Sequence, residues 1–257
     1  MNILQALVLS VVEGITEFLP VSSTGHLILT TQILGITESE FVKSFEIYIQ
    51  LGAILAVVVL YFNKYKQNLA VWRNVLAAFI PTAVIGFILY KVVKTYLLGN
   101  SLVVVASLLI GGILLIWLEK KHQEKDQDVT KIEQLTLKQS FLIGLAQSLS
   151  IIPGVSRSAS TILGAMFLGA KRTTAVEFSF LLAVPTMLAA SGYDLLKSDF
   201  AFSANEWMLI AVGFIGSFIT ALVIVKWFIQ FVQKNTFIPF GVYRIIVAIL
   251  FYLFVIY

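Results

Sequence analysis

Six stretches of this chain are apolar over about the 20 residues that a helix needs to cross a bilayer. They fall at 45–62, 75–96, 102–118, 175–193, 207–228 and 237–257. Pro81 and Pro185 stand inside two of them, which helices in a bilayer tolerate. Trp72, Trp117, Trp207 and Trp227 lie near stretch ends, where interfacial anchors belong. Only 12% of the 257 residues are charged, about half the fraction of a soluble domain, and the mean hydropathy is +0.94. A soluble enzyme, a disordered chain and a nucleic-acid-binding domain are thereby excluded. Lys and Arg outnumber Asp and Glu by 4, but the surplus is spread over short loops and makes no basic patch. There is no cysteine, which removes disulfides and thiolate metal sites. Glu13 and Glu17 interrupt the first apolar residues, so no cleaved signal peptide is expected.

Two further segments are apolar but broken. Residues 1–32 are interrupted by Pro20, Val21, Ser22, Ser23, Thr24, Gly25 and His26, and residues 138–170 by Pro153, Gly154, Val155, Ser156, Arg157 and Ser158. Each half is too short to span alone, so each segment is expected to be a re-entrant helical hairpin, buried in protein or lining a wet cavity. A shift of 134 residues pairs Glu13 with Gln147, Val21 with Val155, Ser22 with Ser156 and Thr24 with Ser158. Three spans follow each break. Three is odd, so the second half enters inverted, and the two breaks are expected to meet near the membrane midplane. The fold class is therefore an all-α polytopic membrane protein, with six transmembrane helices plus two re-entrant helical hairpins in an inverted-topology repeat. A single domain over 1–257 divides into halves at about 1–120 and 138–257, joined by the charge-rich stretch 119–138. With both termini outside, twelve Lys and Arg fall in inside loops, and four (Lys43, Lys91, Lys94 and Lys197) fall outside. That bias sets the orientation, with the first hairpin opening outward.

Function must lie in the few polar residues within the apolar segments. Glu13 and Glu17 are four apart and project from one helical face. Two such anions cost several kcal/mol unless paired, protonated or metal-bound, which points to a divalent metal or a proton-transfer site; the bland alternative is a pair of carboxyls joining helices. Ser23 and His26 can share one turn as hydroxyl and base, or the serines can simply cap a half-helix. Arg157 is the one cation inside the second hairpin. Its planar fork suits phosphate, and the hydroxyls and N–H groups of a half-helix start would complete an anion cradle. Alternatively Arg157 neutralises Glu13 or Glu17. Glu46, Gln50 and Glu177 lie near span starts, where they either line the cavity or sit at the interface; for Asp194 and Arg244 the bland, interfacial reading is favoured, and His122 is read as solvated. The set suits a phosphorylated ligand. A diphosphate of roughly −3 with two carboxylates and one Arg makes about −4 in a low-dielectric pocket. The expected remedy is Mg²⁺ or Ca²⁺ bound by Glu13 and Glu17.

The stretch VEGITEFLPVSSTGH at 12–26 and the stretch PGVSRS at 153–158 resemble the two signature motifs of the bacitracin-resistance family of undecaprenyl-diphosphate phosphatases. FSFLLAVP at 178–185 and IPF at 238–240 are similar to that family too, so the resemblance runs through nearly the whole chain in order. It implies a bacterial inner-membrane enzyme with an outward-facing site, releasing phosphate from undecaprenyl diphosphate to recycle the lipid carrier of peptidoglycan. It implies Glu13, Glu17, Ser23, His26 and Arg157 as catalytic residues, and Ser22, Thr24, Ser156, Ser158 and Thr161 as substrate-binding residues. The nucleophile is left between Ser23, His26 and a metal-activated water, with Ser23 favoured. The expected partners are the polyprenyl diphosphate and membrane lipid, with a homodimer left open and nucleic acid excluded. A flippase for undecaprenyl phosphate is the alternative, because inverted repeats with broken helices are transporter architecture.

Overall fold

The computed structural model describes residues 1–97, 100–122, 124–195 and 202–256. Within them the chain is all-helical, with no named strand. The order is α1 (Ile3–Thr16), α2 (Ser23–Ile33), α3 (Glu40–Tyr65), α4 (Leu69–Tyr96), α5 (Ser101–Lys121), α6 (Leu137–Ser148), α7 (Arg157–Phe167), α8 (Arg172–Leu195), α9 (Ala204–Val232) and α10 (Ile238–Phe251). Short polar side chains set most of the starts by accepting the otherwise orphaned N–H groups of the first turn. Asn2, Ser39, Asn68, Asn100, Thr136 and Ser203 do this for α1, α3, α4, α5, α6 and α9. Capping moves α3 five residues ahead of its apolar run, because the Ser39 side chain accepts from the Val42 N–H.

Five helices are long and apolar enough to cross a membrane, and they contain the first five apolar stretches. The sixth stretch carries α10, continued through Ile256 by a wider π-type turn that begins at Tyr252. Both broken segments are helix–break–helix units, α1–α2 and α6–α7, whose members have 14, 11, 12 and 11 residues. None can span alone. Each unit is followed by three longer helices.

The two units are held in corresponding ways. α1 lies against α9 and α6 against α4, while α5 packs on α10 and α3 on both α8 and α9. A Cβ on Gly14 would fall 2.6 Å from Thr220 Cβ, so α1 and α9 approach as closely as they do only because no side chain stands there. A buried aromatic cluster of Phe18, Phe178, Phe180, Phe228 and Phe237 fills the centre, with Phe18 edge-on to Phe180 at 5.3 Å. Phe87, Ile110, Ile113 and Trp117 point outward. In lipid such faces gain nothing by burial, so cohesion comes from close packing and interhelical polar bonds. At one end of the bundle the buried Glu119 carboxylate binds Arg172 and accepts from Phe237 N–H at 3.2 Å. Glu177, at the same end, binds Lys64 at 2.7 Å and Tyr65 O–H at 2.8 Å. His122 differs from the expectation of a solvated ring: its Nε2 is buried. Lys197 lies outside the described residues, as do the side chains of Lys94 and Asp194.

Candidate active site

The two breaks adopt the same backbone. Ser22 has φ 73° and Ser156 φ 72°, and they are the only non-glycine residues with positive φ among those described. Each caps the helix that follows it, Ser22 accepting from Gly25 N–H and Ser156 from Ala159 N–H. They are separated by the 134 residues that relate the two segments in sequence. A strained φ costs about 1–3 kcal/mol and persists only where its surroundings dictate it. Here it turns the chain sharply enough for the starts of α2 and α7 to face one cavity.

Three kinds of bond join the breaks. Ser158 Oγ donates to the Phe18 carbonyl at 2.7 Å. Arg157 Nη2 donates to Glu17 Oε1 at 2.9 Å, and its Nη1 to Ser179 O at 2.9 Å and Ser179 Oγ at 3.2 Å. Arg244 donates to carbonyls on both breaks. The Arg157 guanidinium also sits 5.6 Å over the Phe18 ring. Ser23 O–H donates to Glu17 Oε2 at 2.7 Å. Glu17 therefore stands between a hydroxyl and a guanidinium, one oxygen to each.

These groups close the polar end of a cavity of about 660 Å³. Glu17, Ser22, Ser23, Thr24, Gln50, Ser156 and Arg157 line that end. Phe79, Ala83, Phe87, Tyr90, Met187 and Tyr193, from α4 and α8, line an apolar continuation, with Lys91 also on the wall. Gln50, for which the sequence leaves cavity wall and interface open, belongs to this wall.

Other expected residues lie elsewhere. Glu13 is fully buried, one turn behind Glu17 and off the cavity wall, and neither of its carboxylate oxygens has a hydrogen-bond partner. Ser158 and Thr161 are fully buried. Thr161 Oγ1 is bonded to Gln147 Oε1 at 3.0 Å and to Arg157 O at 2.9 Å. Both residues brace the cavity from behind. The Ser23–His26 pair is not formed. His26 Nδ1 contacts Ser22 O at 2.8 Å and Nε2 contacts Tyr243 Oη at 2.7 Å; the turn of α2 carries the imidazole away from the cavity, and Glu17 takes the place beside Ser23.

The donor set bears on a metal. Among the described residues no group of three or more His, Asp or Glu is gathered to hold one. What is present is a pair of carboxylates with two buried, unpartnered oxygens. Hard oxygen donors in that number suit a cation such as Mg²⁺, which usually keeps one or two carboxylates and fills its shell with phosphate and water.

For Arg244 the sequence favours the bland, interfacial reading, and the structure gives it a different place. It is fully buried and donates five hydrogen bonds to main-chain carbonyls. A charge seven residues into an apolar stretch was the available signal, since ionisable groups inside such segments are functional by default. Tyr243 gave no signal, because an aromatic residue in such a run is ordinary.

Residues 6–250 match the family described as bacitracin resistance protein BacA. The chain belongs to this family. It is 56% identical to an undecaprenyl-diphosphatase of Aquifex aeolicus over 96% of either chain. It is 50% identical to one of Sulfurihydrogenibium over 98% of this chain and 99% of that one. For one of Persephonella marina the identity is 45%, over 99% and 100%.

Proposed function

We propose that this member of the family is a membrane phosphatase. It hydrolyses undecaprenyl diphosphate to undecaprenyl phosphate and inorganic phosphate, recycles the lipid carrier for peptidoglycan, and thereby confers bacitracin resistance. The observation that carries this reading is the cavity. Its polar end holds hydroxyl, carboxylate and guanidinium, and its apolar end runs between two long helices. A diphosphate on an isoprenoid chain has that same division.

The mechanism follows from the pairings. Glu17 accepts the Ser23 proton, and Ser23 Oγ attacks the terminal phosphorus. The bond from that phosphorus to the bridging oxygen breaks, and undecaprenyl phosphate leaves. Water then cleaves the phosphoserine, returning the proton to Ser23 and releasing inorganic phosphate. Arg157, fixed by Glu17 and Ser179, offsets charge on the transferred group, as do the N–H groups at the starts of α2 and α7. Ser22, Thr24 and Ser156 orient the diphosphate from the cavity wall. Ser158, Thr161 and His26 hold the backbone behind it. Glu13 and Glu17 would hold a divalent cation, Mg²⁺ or Ca²⁺, which neutralises phosphate charge when bound.

The topology that goes with this reading is an inverted repeat, with halves at about 1–120 and 138–257. It has six spans plus the two hairpins, α10 with its terminal turn being the sixth. The protein sits in the bacterial inner membrane with both termini and the cavity facing outward. The recurrence of hairpin and three helices, the twin serines and the Lys and Arg bias support that arrangement. The test of function is phosphate release from undecaprenyl diphosphate by the purified protein. Release with Mg²⁺ or Ca²⁺ is expected, and its loss in EDTA; no release under either condition refutes the phosphatase, and full rates in EDTA refute the metal.

A further inference from the structure

Two strained serines at the heart of the cavity need something to hold them. Adjacent residues of α10 do so from outside the cavity. Arg244 has five guanidinium N–H groups, and all five are used. Nη1 donates to Pro20 O at 3.2 Å and to Val155 O at 3.2 Å. Nη2 donates to Gly154 O at 3.1 Å and to Ser107 O at 2.9 Å. Nε donates to Leu108 O at 3.3 Å. Pro20 and Gly154 are equivalent under the 134-residue shift, and each stands two residues before a strained serine. One guanidinium thus grips the same point on both breaks and ties both to α5. A Cβ at Gly111 would land on that guanidinium, so α5 leaves it room.

Tyr243 holds the first break from its other end. The Ser22 carbonyl can only accept, so the 2.8 Å contact makes His26 Nδ1 the protonated nitrogen. Nε2 is then the acceptor for Tyr243 O–H at 2.7 Å. The two rings stack with 8° between their planes. Tyr243 therefore fixes the ring that holds the carbonyl of Ser22, and Ser22 precedes Ser23 directly. Neither Tyr243 nor His26 lines the large cavity; Tyr243 borders a separate apolar groove with Ile15, Leu19, Trp227 and Phe231.

We propose that Tyr243 and Arg244 are positioning residues for phosphoryl transfer. Tyr243 acts through His26 on Ser22, and Arg244 clasps the two breaks so that Ser23 and Arg157 meet the same phosphorus. This inference rests on the phosphatase reading above for its kinetic part only.

The test uses the full-length protein in detergent with undecaprenyl diphosphate, together with hydrogen exchange of a peptide covering 20–26. Tyr243→Phe removes a single oxygen. Losing that one bond is expected to lower kcat about tenfold, with KM held and exchange at 20–26 accelerated. The same change placed on His26→Ala is expected to lower kcat no further, because the route through the imidazole is already cut. Arg244→Lys has three donors for five carbonyls and is expected to lower kcat about 100-fold, the scale of a small misplacement of reacting groups. If Arg244→Lys fails to fold, Tyr243→Phe decides alone. Wild-type kcat in Tyr243→Phe overturns the proposal, as does a loss that simply multiplies with that of His26→Ala. Wild-type protein that releases no phosphate would overturn the phosphatase reading instead. The exchange measurement would still decide the clasp, because unchanged protection at 20–26 in Tyr243→Phe overturns it without any assay of activity.

Discussion

Replacing Glu17 by Gln keeps the shape of the side chain and removes its charge and basicity. Two contacts are affected: the 2.7 Å bond accepted from Ser23 and the 2.9 Å pair with Arg157. Both partners are largely enclosed, with side-chain exposures of 4% for Glu17 and 9% for Arg157. Breaking a buried pair by removing one charge costs about 3–5 kcal/mol of stability. The upper end is not expected here, because the amide oxygen still accepts from one neighbour and Arg157 keeps Ser179. The kinetic loss is larger in consequence. A positioned general base contributes about 100-fold to 10,000-fold, and the amide cannot take the Ser23 proton. The freed guanidinium can still bind substrate phosphate, so KM is expected to change little while kcat falls by at least about 100-fold. The assay is steady-state phosphate release with a thermal melt of the same preparation. A folded Glu17→Gln protein with wild-type kcat refutes Glu17 as the base, and so does one that raises KM alone.

Further expectations follow from other parts of the structure. Gly154→Ala puts a side chain at φ +88°, with its Cβ 2.8 Å from Val104 O, and is expected to cost at least about 1–3 kcal/mol, read as a lowered melting temperature in detergent. Thr161→Val strands the buried Gln147 carbonyl, which accepts from Thr161 at 3.0 Å; a loss of about 1–3 kcal/mol in stability is expected by the same measurement. Lys91 is exposed and lines the cavity wall, so Lys91→Glu is expected to raise KM for the anionic substrate and leave kcat in place, more so at low salt.

Much of the architecture is legible in the sequence because a bilayer leaves few choices. Long apolar runs had to be helices, and two breaks with Pro, Gly and Ser had to be turns. The boundaries came from caps that hydropathy does not register, such as Ser39 ahead of α3. The last apolar run was read as a full span, and its regular helix ends at Phe251, before the π-type turn. Within the site, residue types were legible and pairings were not. A spacing of three residues put Ser23 and His26 on one turn, but it could not reveal that the chain reverses at Ser22 with φ 73° and points the imidazole at Tyr243. Nor could the spacing of Glu13 and Glu17 show which of them reaches the cavity. That depends on the depth of α1 against α9, a matter of packing. Arg244 is the instructive misreading: its partners are five main-chain carbonyls, and a pattern of side chains cannot point to them.

The central claim is that Ser23, held by Glu17 beside Arg157, receives the phosphoryl group. The direct test is to stop turnover of undecaprenyl diphosphate labelled in its terminal phosphate with denaturant at neutral pH, which preserves phosphoserine and phosphohistidine alike, and to locate the label on the protein. The account predicts labelled Ser23 within a peptide of the first break, and no label and no phosphate release in Ser23→Ala. Phosphate release by Ser23→Ala at the wild-type rate, or label on His26 instead, would contradict it.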